Sequence, residues 1–232
     1  MLLGGVATPP RQQREIRVLY SQAARVAFAH YPKTAGCALQ HWFRRAFPDS
    51  RLLVPDNPHL PVRESLAAIA AGRRGWRAAG QPRLVVGVLR EPFEMLVSLF
   101  EFWREFPFAV EPEHPFIISA RRDAFPEFLE LAVIAGQVPT YESFFDVGGP
   151  LWPQTRLIHF HDLPAGLHRV AAELRLWRRP PLERHNCHAV PRDLAAYRRQ
   201  AGSLAAAVRQ HFCWYFEHGL ALGAARSSGY VA

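Results

Sequence analysis

Residues 25–47 read RVAFAHYPKTAGCALQHWFRRAF, and the order of residue types in this stretch decides the fold. Val26 to Ala29 is a short apolar run of the kind that forms a buried strand. Tyr31-Pro32-Lys33-Thr34-Ala35-Gly36 is a tight loop. Cys37, Ala38, Leu39, Trp42, Phe43, Ala46 and Phe47 then fall at helical spacing. Strand, short loop and helix make an anion site, because a helix N-terminus offers backbone N–H groups and a partial positive charge. Lys33 sits in the loop that would close over the anion. The loop is not that of the NTPases, where Lys follows the last Gly and precedes Ser or Thr; here the Lys comes before the Gly.

Of the 28 basic residues, 27 are Arg, and Lys33 is the one lysine. A coding bias toward Arg explains the shortage of Lys elsewhere but not this exception. A compact ammonium on a flexible stem follows a moving oxygen better than a planar guanidinium does.

A second motif lies about 55 residues downstream. Leu84 to Leu89, LVVGVL, is a continuous apolar run suited to a strand buried on both faces of a parallel sheet. Arg90-Glu91-Pro92 follows, with Pro placed for a first helical turn. Phe93, Leu96, Val97, Phe100 and Trp103 give the apolar face of a helix. Arg90 at the strand end and Ser98 two turns into that helix stand at R-x7-S spacing; a guanidinium there can grip a phosphate and a hydroxyl can cap it.

The loop Pro32-Lys33-Thr34-Ala35-Gly36 resembles the 5'-phosphosulfate loop of the sulfotransferases that use PAPS, 3'-phosphoadenosine-5'-phosphosulfate. The Arg90 to Ser98 segment resembles the same family's 3'-phosphate motif. The resemblance covers roughly residues 25–218 and is nearest in style to the carbohydrate (Golgi-type, heparan 2-O-like) branch. It implies an α/β fold with a central parallel sheet flanked by helices, the P-loop-like sulfotransferase fold, and alternation of strand and helix patterns supports α/β independently.

The resemblance also assigns roles. Lys33 stabilises charge on the oxygen bridging sulfate and 5'-phosphate. Thr34, Ala35, Gly36, Cys37 and Ala38 bind the 5'-phosphate end, and Arg90 and Ser98 hold the 3'-phosphate of PAPS or of its product PAP. Asn186, in the basic loop RRPPLERHNCHAV, matches a nucleotide-side Asn, with His188 where relatives have Ser. His59, in His59-Leu60-Pro61 after a second strand at Arg51 to Val54, is the candidate general base for a hydroxyl acceptor, a glycan or glycolipid. His41, His114 and Glu91 are the next candidates. Cys37 and Ala38 depart from the family's hydroxyl residues. Two lost neutral hydrogen bonds cost on the order of 1–3 kcal/mol, so a degenerate, non-catalytic nucleotide- or glycan-binding module of the same fold is the alternative.

Composition bounds the rest. At 232 residues, 49% hydrophobic, the chain suits one domain with a sizeable core. A net charge of +8 and a pI near 10.1 favour anionic partners. Nucleic acid is not the expected partner, since no zinc pattern, RNP signature or helix-turn-helix accompanies the charge. Three cysteines at unpaired spacings, Cys37, Cys187 and Cys213, form neither a disulfide framework nor a metal pattern. No stretch reaches membrane-spanning length and the N-terminal residues lack a signal-peptide core, so a soluble cytoplasmic protein is expected. Oligomeric state is left open.

Along the chain, residues 1–24 read as a loose lead-in and residues 25–218 as the domain. Residues 62–71 read as helix, 105–121 as a long loop, 124–135 as helix and 141–153 as a Gly and Pro loop. Leu157 to Phe160 reads as a strand, followed by a helix to Leu176 with Asp162 as N-cap. Residues 191–218 read as one long amphipathic helical region, and 219–232 as a disordered tail.

Overall fold

A computed structural model of the chain describes residues 19–52, 61–70, 81–105, 115–177, 179–183 and 193–221. Five strands form one sheet in the order β3-β1-β2-β4-β5. They are β1 (Leu19–Ser21), β2 (Val26–Phe28), β3 (Arg51–Leu52), β4 (Leu84–Leu89) and β5 (Thr155–His159). Strands β2, β4 and β5 run parallel, with Ala27 opposite Val85 and Gly87 opposite Leu157. Strand β1 is antiparallel to both β2 and β3. The domain is therefore α/β with a mixed sheet, not a purely parallel one.

Strand β1 corrects the expected lead-in, whose last residues belong to the sheet. Its turn into β2, Gln22 to Arg25, holds no Gly, Pro, Asn or Asp to announce it. Asp49 supplies the missing chemistry from outside: its carboxylate accepts from Ser21 Oγ at 2.7 Å and from the Ala23 N–H at 2.9 Å.

Side chains alternate across the sheet, as strand geometry requires. Val26, Phe28, Leu84, Val86 and Val88 face α1 (Gly36–Ala46) and α7 (Leu163–Glu173), packing on Leu39, Trp42, Phe43, Leu167 and Val170. Ala27, Val85 and Leu89 face the other layer. That layer holds α3 (Pro92–Glu105), α4 (Pro115–Arg121), α5 (Phe125–Leu129), α6 (Tyr141–Phe145), α8 (Leu194–Ala201) and α9 (Leu204–His211). Strand β4 is buried at all six positions, as its apolar run predicts. Helix α2 (Val62–Ala70) lies beside α6, where Arg63 donates to Asp146 Oδ1 at 2.8 Å.

Three segments differ from their expected form. Helix α6 occupies the start of the supposed Gly and Pro loop, because Thr140 caps it by accepting from the Ser143 N–H and Phe144 and Phe145 are fully buried. Helix α4 occupies the end of the supposed long loop, with Phe116 and Ile117 buried; residues 106–114 lie outside those described. The long C-terminal helix is broken at Gly202, which takes φ 52°. Helix α5 runs on into a π-helical turn, Glu130–Ile134, and a second such turn, Tyr215–Gly219, follows α9. The supposed tail begins within that second turn, and residues 222–232 lie outside those described. Among the described residues no helix is long and apolar enough to cross a membrane.

Candidate functional site

From β2 the chain crosses through α1 to β3 on one side of the sheet, whereas from β4 it crosses to β5 on the other. Open α/β sheets bind ligands outside the strand C-termini where connections diverge in this way. The gap between β2 and β4 is that point. Its two rims are the Tyr31 to Gly36 loop and Arg90.

The loop has an unusual backbone. Lys33 has φ 57°, and Ala35 has φ 62° and ψ 27°, both left-handed. Such conformations cost on the order of 1–3 kcal/mol at non-Gly residues and persist only when the surroundings impose them. Thr34, fully buried, donates from its hydroxyl to the Tyr31 carbonyl at 2.8 Å and folds the loop on itself. Ala35 is the N-cap of α1, makes no side-chain cap bond, and no acidic residue occupies the first turn. A left-handed residue followed by a helical one turns successive N–H groups toward one concavity, a backbone anion nest.

Gly36 is dictated by close approach. A Cβ there would lie 1.8 Å from Nε2 of His30, which is 2% exposed directly behind the loop. Tyr31, also buried, donates from its hydroxyl to the Pro139 carbonyl. Its ring centroid lies 4.5 Å from that of Tyr141.

Tyr141 grips the other rim. Its hydroxyl donates to the Arg90 carbonyl at 2.7 Å and accepts from the Arg90 N–H at 3.2 Å. Burial pushes the phenols of Tyr141 and Tyr31 well above the ordinary tyrosine range, so both act as neutral hydroxyls. Arg90 Nη1 donates to the Lys33 carbonyl at 3.2 Å, its guanidinium carbon stacks 4.4 Å over the Phe160 ring, and Nε lies 3.6 Å from Glu94 Oε2. The same Glu94 oxygen lies 3.4 Å from His161 Nε2.

The Lys33 ammonium sits 4.3 Å over the Phe102 ring in α3. Ser98 lies one helical turn before Phe102, on the same face, and is 3% exposed. Lys33 and Arg90, which sequence patterns assign to one nucleotide, meet through the Arg90 contact with the Lys33 carbonyl, and Ser98 is buried within α3. Cys37, half-buried, and Ala38, buried, lie in the first turn of α1. His59, Asn186 and His114 lie outside the described residues.

Glu91, one of the candidate bases, has other employment. Glu91 caps α3 by accepting from the Glu94 N–H at 2.7 Å, and its other oxygen is 3.9 Å from Arg198. Asp162 stands at the N-cap position of α7 but makes no cap bond, pairing instead with Arg169 at 2.5 Å. His41 lies exposed on the outer face of α1. Sequence patterns do not single out His30, Tyr141, Phe102, Phe160 or Glu94; Glu94 alone carries a signal, falling at i+4 from Arg90. Among the described residues no group of three His, Cys, Asp or Glu side chains can hold a metal ion.

The residues present fit a 3'-phosphorylated nucleotide: an uncapped nest, one ammonium and one guanidinium share a sheet edge. Glu94 opposes this, since a phosphate at Arg90 meets a carboxylate already there. No protein-family model matches the chain, and no match is found among curated proteins or solved structures.

Proposed function

We propose that the chain is a PAPS-dependent sulfotransferase of the P-loop-like fold, acting on a hydroxyl acceptor of a carbohydrate or glycoconjugate in the cytoplasm. The observation that carries this reading is the contact of Arg90 Nη1 with the Lys33 carbonyl, which joins two motifs 57 residues apart at the switch point of the sheet.

When bound, PAPS supplies an activated sulfuryl group. The nest at Ala35 and Gly36, continued by Cys37 and Ala38, receives the 5'-phosphate. Arg90 and Ser98 hold the 3'-phosphate, and Asn186 contributes from the nucleotide side. Lys33 leaves the Phe102 ring to neutralise charge on the departing bridging oxygen, the form of stabilisation that accelerates in-line transfer. His59 takes the acceptor proton. The buried wall formed by Tyr31, Tyr141 and Phe144 excludes water behind the loop.

A second reading, a non-catalytic binding module of the same fold, is favoured by Cys37 and Ala38, which bring no hydroxyls to the helix start. Transfer of labelled sulfuryl from PAPS to a panel of glycan, lipid and small phenolic acceptors separates the two. The proposed enzyme labels an acceptor, most strongly a glycan. Nucleotide binding with no labelled product in any class selects the module instead.

A further inference from the structure

The edge of the sheet opposite the nucleotide gap carries a second feature. Strands β2, β4 and β5 begin there, and α1 and α7 end there. The α1–β3 connection meets that edge through Asp49 bonded to the β1–β2 turn, and the end of α7 meets it through Glu173 paired with Arg156 at the start of β5.

Helix α7 closes in a Schellman turn. The Leu176 N–H donates to the Ala171 carbonyl at 2.9 Å and the Arg175 N–H to the Ala172 carbonyl at 3.0 Å. Glycine is the usual residue at the left-handed position of this motif; here it is Arg175, at φ 54°. The turn sends Leu176 inward against the core, and Leu182 packs there too. Trp177 between them points out. It is 97% exposed, the most exposed large apolar side chain among the described residues.

The loop is held before the Trp by Leu176 in the core and after it by two side-chain contacts. Arg179 Nη1 meets His168 of α7 at 3.1 Å, and Glu183 pairs with Arg45 in the last turn of α1. The outward pose is therefore held by the loop's own anchors. Arg25 and Arg83, both exposed, stand just before β2 and β4 on the same edge. Arg175 and Arg179 flank Trp177 in the chain, and the acidic groups of this edge are offset: Glu183 pairs with Arg45, Glu173 with Arg156, and Asp49 accepts from Ser21.

We propose that this edge docks on an anionic lipid surface, with Trp177 entering the headgroup layer and the arginines facing acidic phospholipid. Tryptophan is suited to that layer because its ring is apolar and its N–H is polar. Basic side chains beside an anionic leaflet add attraction that salt weakens. A side chain that projects alone, not one lining a groove, fits a planar surface better than an extended polysaccharide. Docking here leaves the opposite edge, with Lys33 and Arg90, facing the solvent.

The test uses the whole chain and sedimentation with vesicles of phosphatidylcholine and phosphatidylserine, against phosphatidylcholine alone. Binding to the mixed vesicles only is expected, weakening as salt rises. Trp177→Ala lowers it roughly tenfold and Arg179→Glu roughly fivefold. Arg175→Gly separates the surface from mere structure: it weakens vesicle binding while raising the unfolding midpoint, because glycine relieves the left-handed strain. No binding to mixed vesicles, binding that Trp177→Ala leaves unchanged, or capture by soluble heparin without any vesicle binding would each overturn the proposal. None of these outcomes depends on the sulfotransferase reading.

Discussion

Arg90 donates from Nη1 to the carbonyl oxygen of Lys33 across 3.2 Å. The acceptor is a backbone oxygen of a left-handed residue, so the guanidinium that would hold one end of a nucleotide also holds the loop that would hold the other. Under the proposed function, binding at either rim would be coupled to the shape of its neighbour, and changes behind the rims would become readable at the site.

Tyr141→Phe removes the hydroxyl that both donates to the Arg90 carbonyl and accepts from its N–H. The site is buried, so Arg90 keeps unsatisfied backbone groups. The expected loss is about 1–3 kcal/mol in denaturant unfolding with an unchanged m-value. Weaker PAP binding should accompany it, because the Arg90 backbone loses its brace. A variant as stable as the parent would show that the brace is idle.

Gly36→Ala drives a methyl group into the buried His30 ring, 1.8 Å from Nε2. Overpacking of this kind costs roughly 1–3 kcal/mol. Removing the ring should undo part of that cost, so the double variant with His30→Ala is expected to be less destabilised than the sum of the single changes. Strict additivity in the cycle would mean that the ring is not what excludes a side chain at position 36.

Alkaline pH should destabilise the fold through its buried phenols. Tyr215 is pushed up to about 12 by burial and by nearby Glu91 and Glu94, and Tyr141 and Tyr31 are raised further by burial. A raised acid favours its neutral form in the folded state. Its contribution is full below the unfolded value near 10.0 and is lost as pH climbs toward the folded value. Unfolding free energy measured across pH 9 to 12 should therefore fall beyond pH 10, and less steeply in Tyr141→Phe. A flat profile would show that these groups titrate alike in both states.

The sequence patterns place Lys33 in the loop after β2 and Arg90 at the end of β4, because a strand followed by a tight loop and an amphipathic helix leaves little freedom for where the loop lies. The apolar run of β4 likewise admits one reading. Strand β1 is hidden because its turn is stabilised by Asp49, distant in sequence, and not by residues of the turn. Tyr141 is hidden because its role depends on a contact 51 residues away. His30 carries no sequence signal, and its role shows only when Gly36 is seen against its ring. Glu94 sits in plain helical register with Arg90, yet only the structure shows it also meeting His161.

Lys33→Ala addresses chemistry separately from binding. The ammonium rests on Phe102, and its proposed work is on the leaving oxygen. Turnover should fall roughly 10²–10³-fold, as for loss of one preorganised charge contact, with PAP affinity falling much less. Equal loss of both would make Lys33 a binding residue only.

Calorimetric titration with PAP and with AMP tests the central claim, that the two rims form one site for a 3'-phosphorylated nucleotide. The two ligands differ only in the phosphate assigned to Arg90 and Ser98. A charge-assisted contact predicts PAP binding tighter than AMP by roughly ten- to a hundredfold, with the gap closing in Arg90→Ala. Equal affinity for the two nucleotides, or no binding of either, would contradict the account.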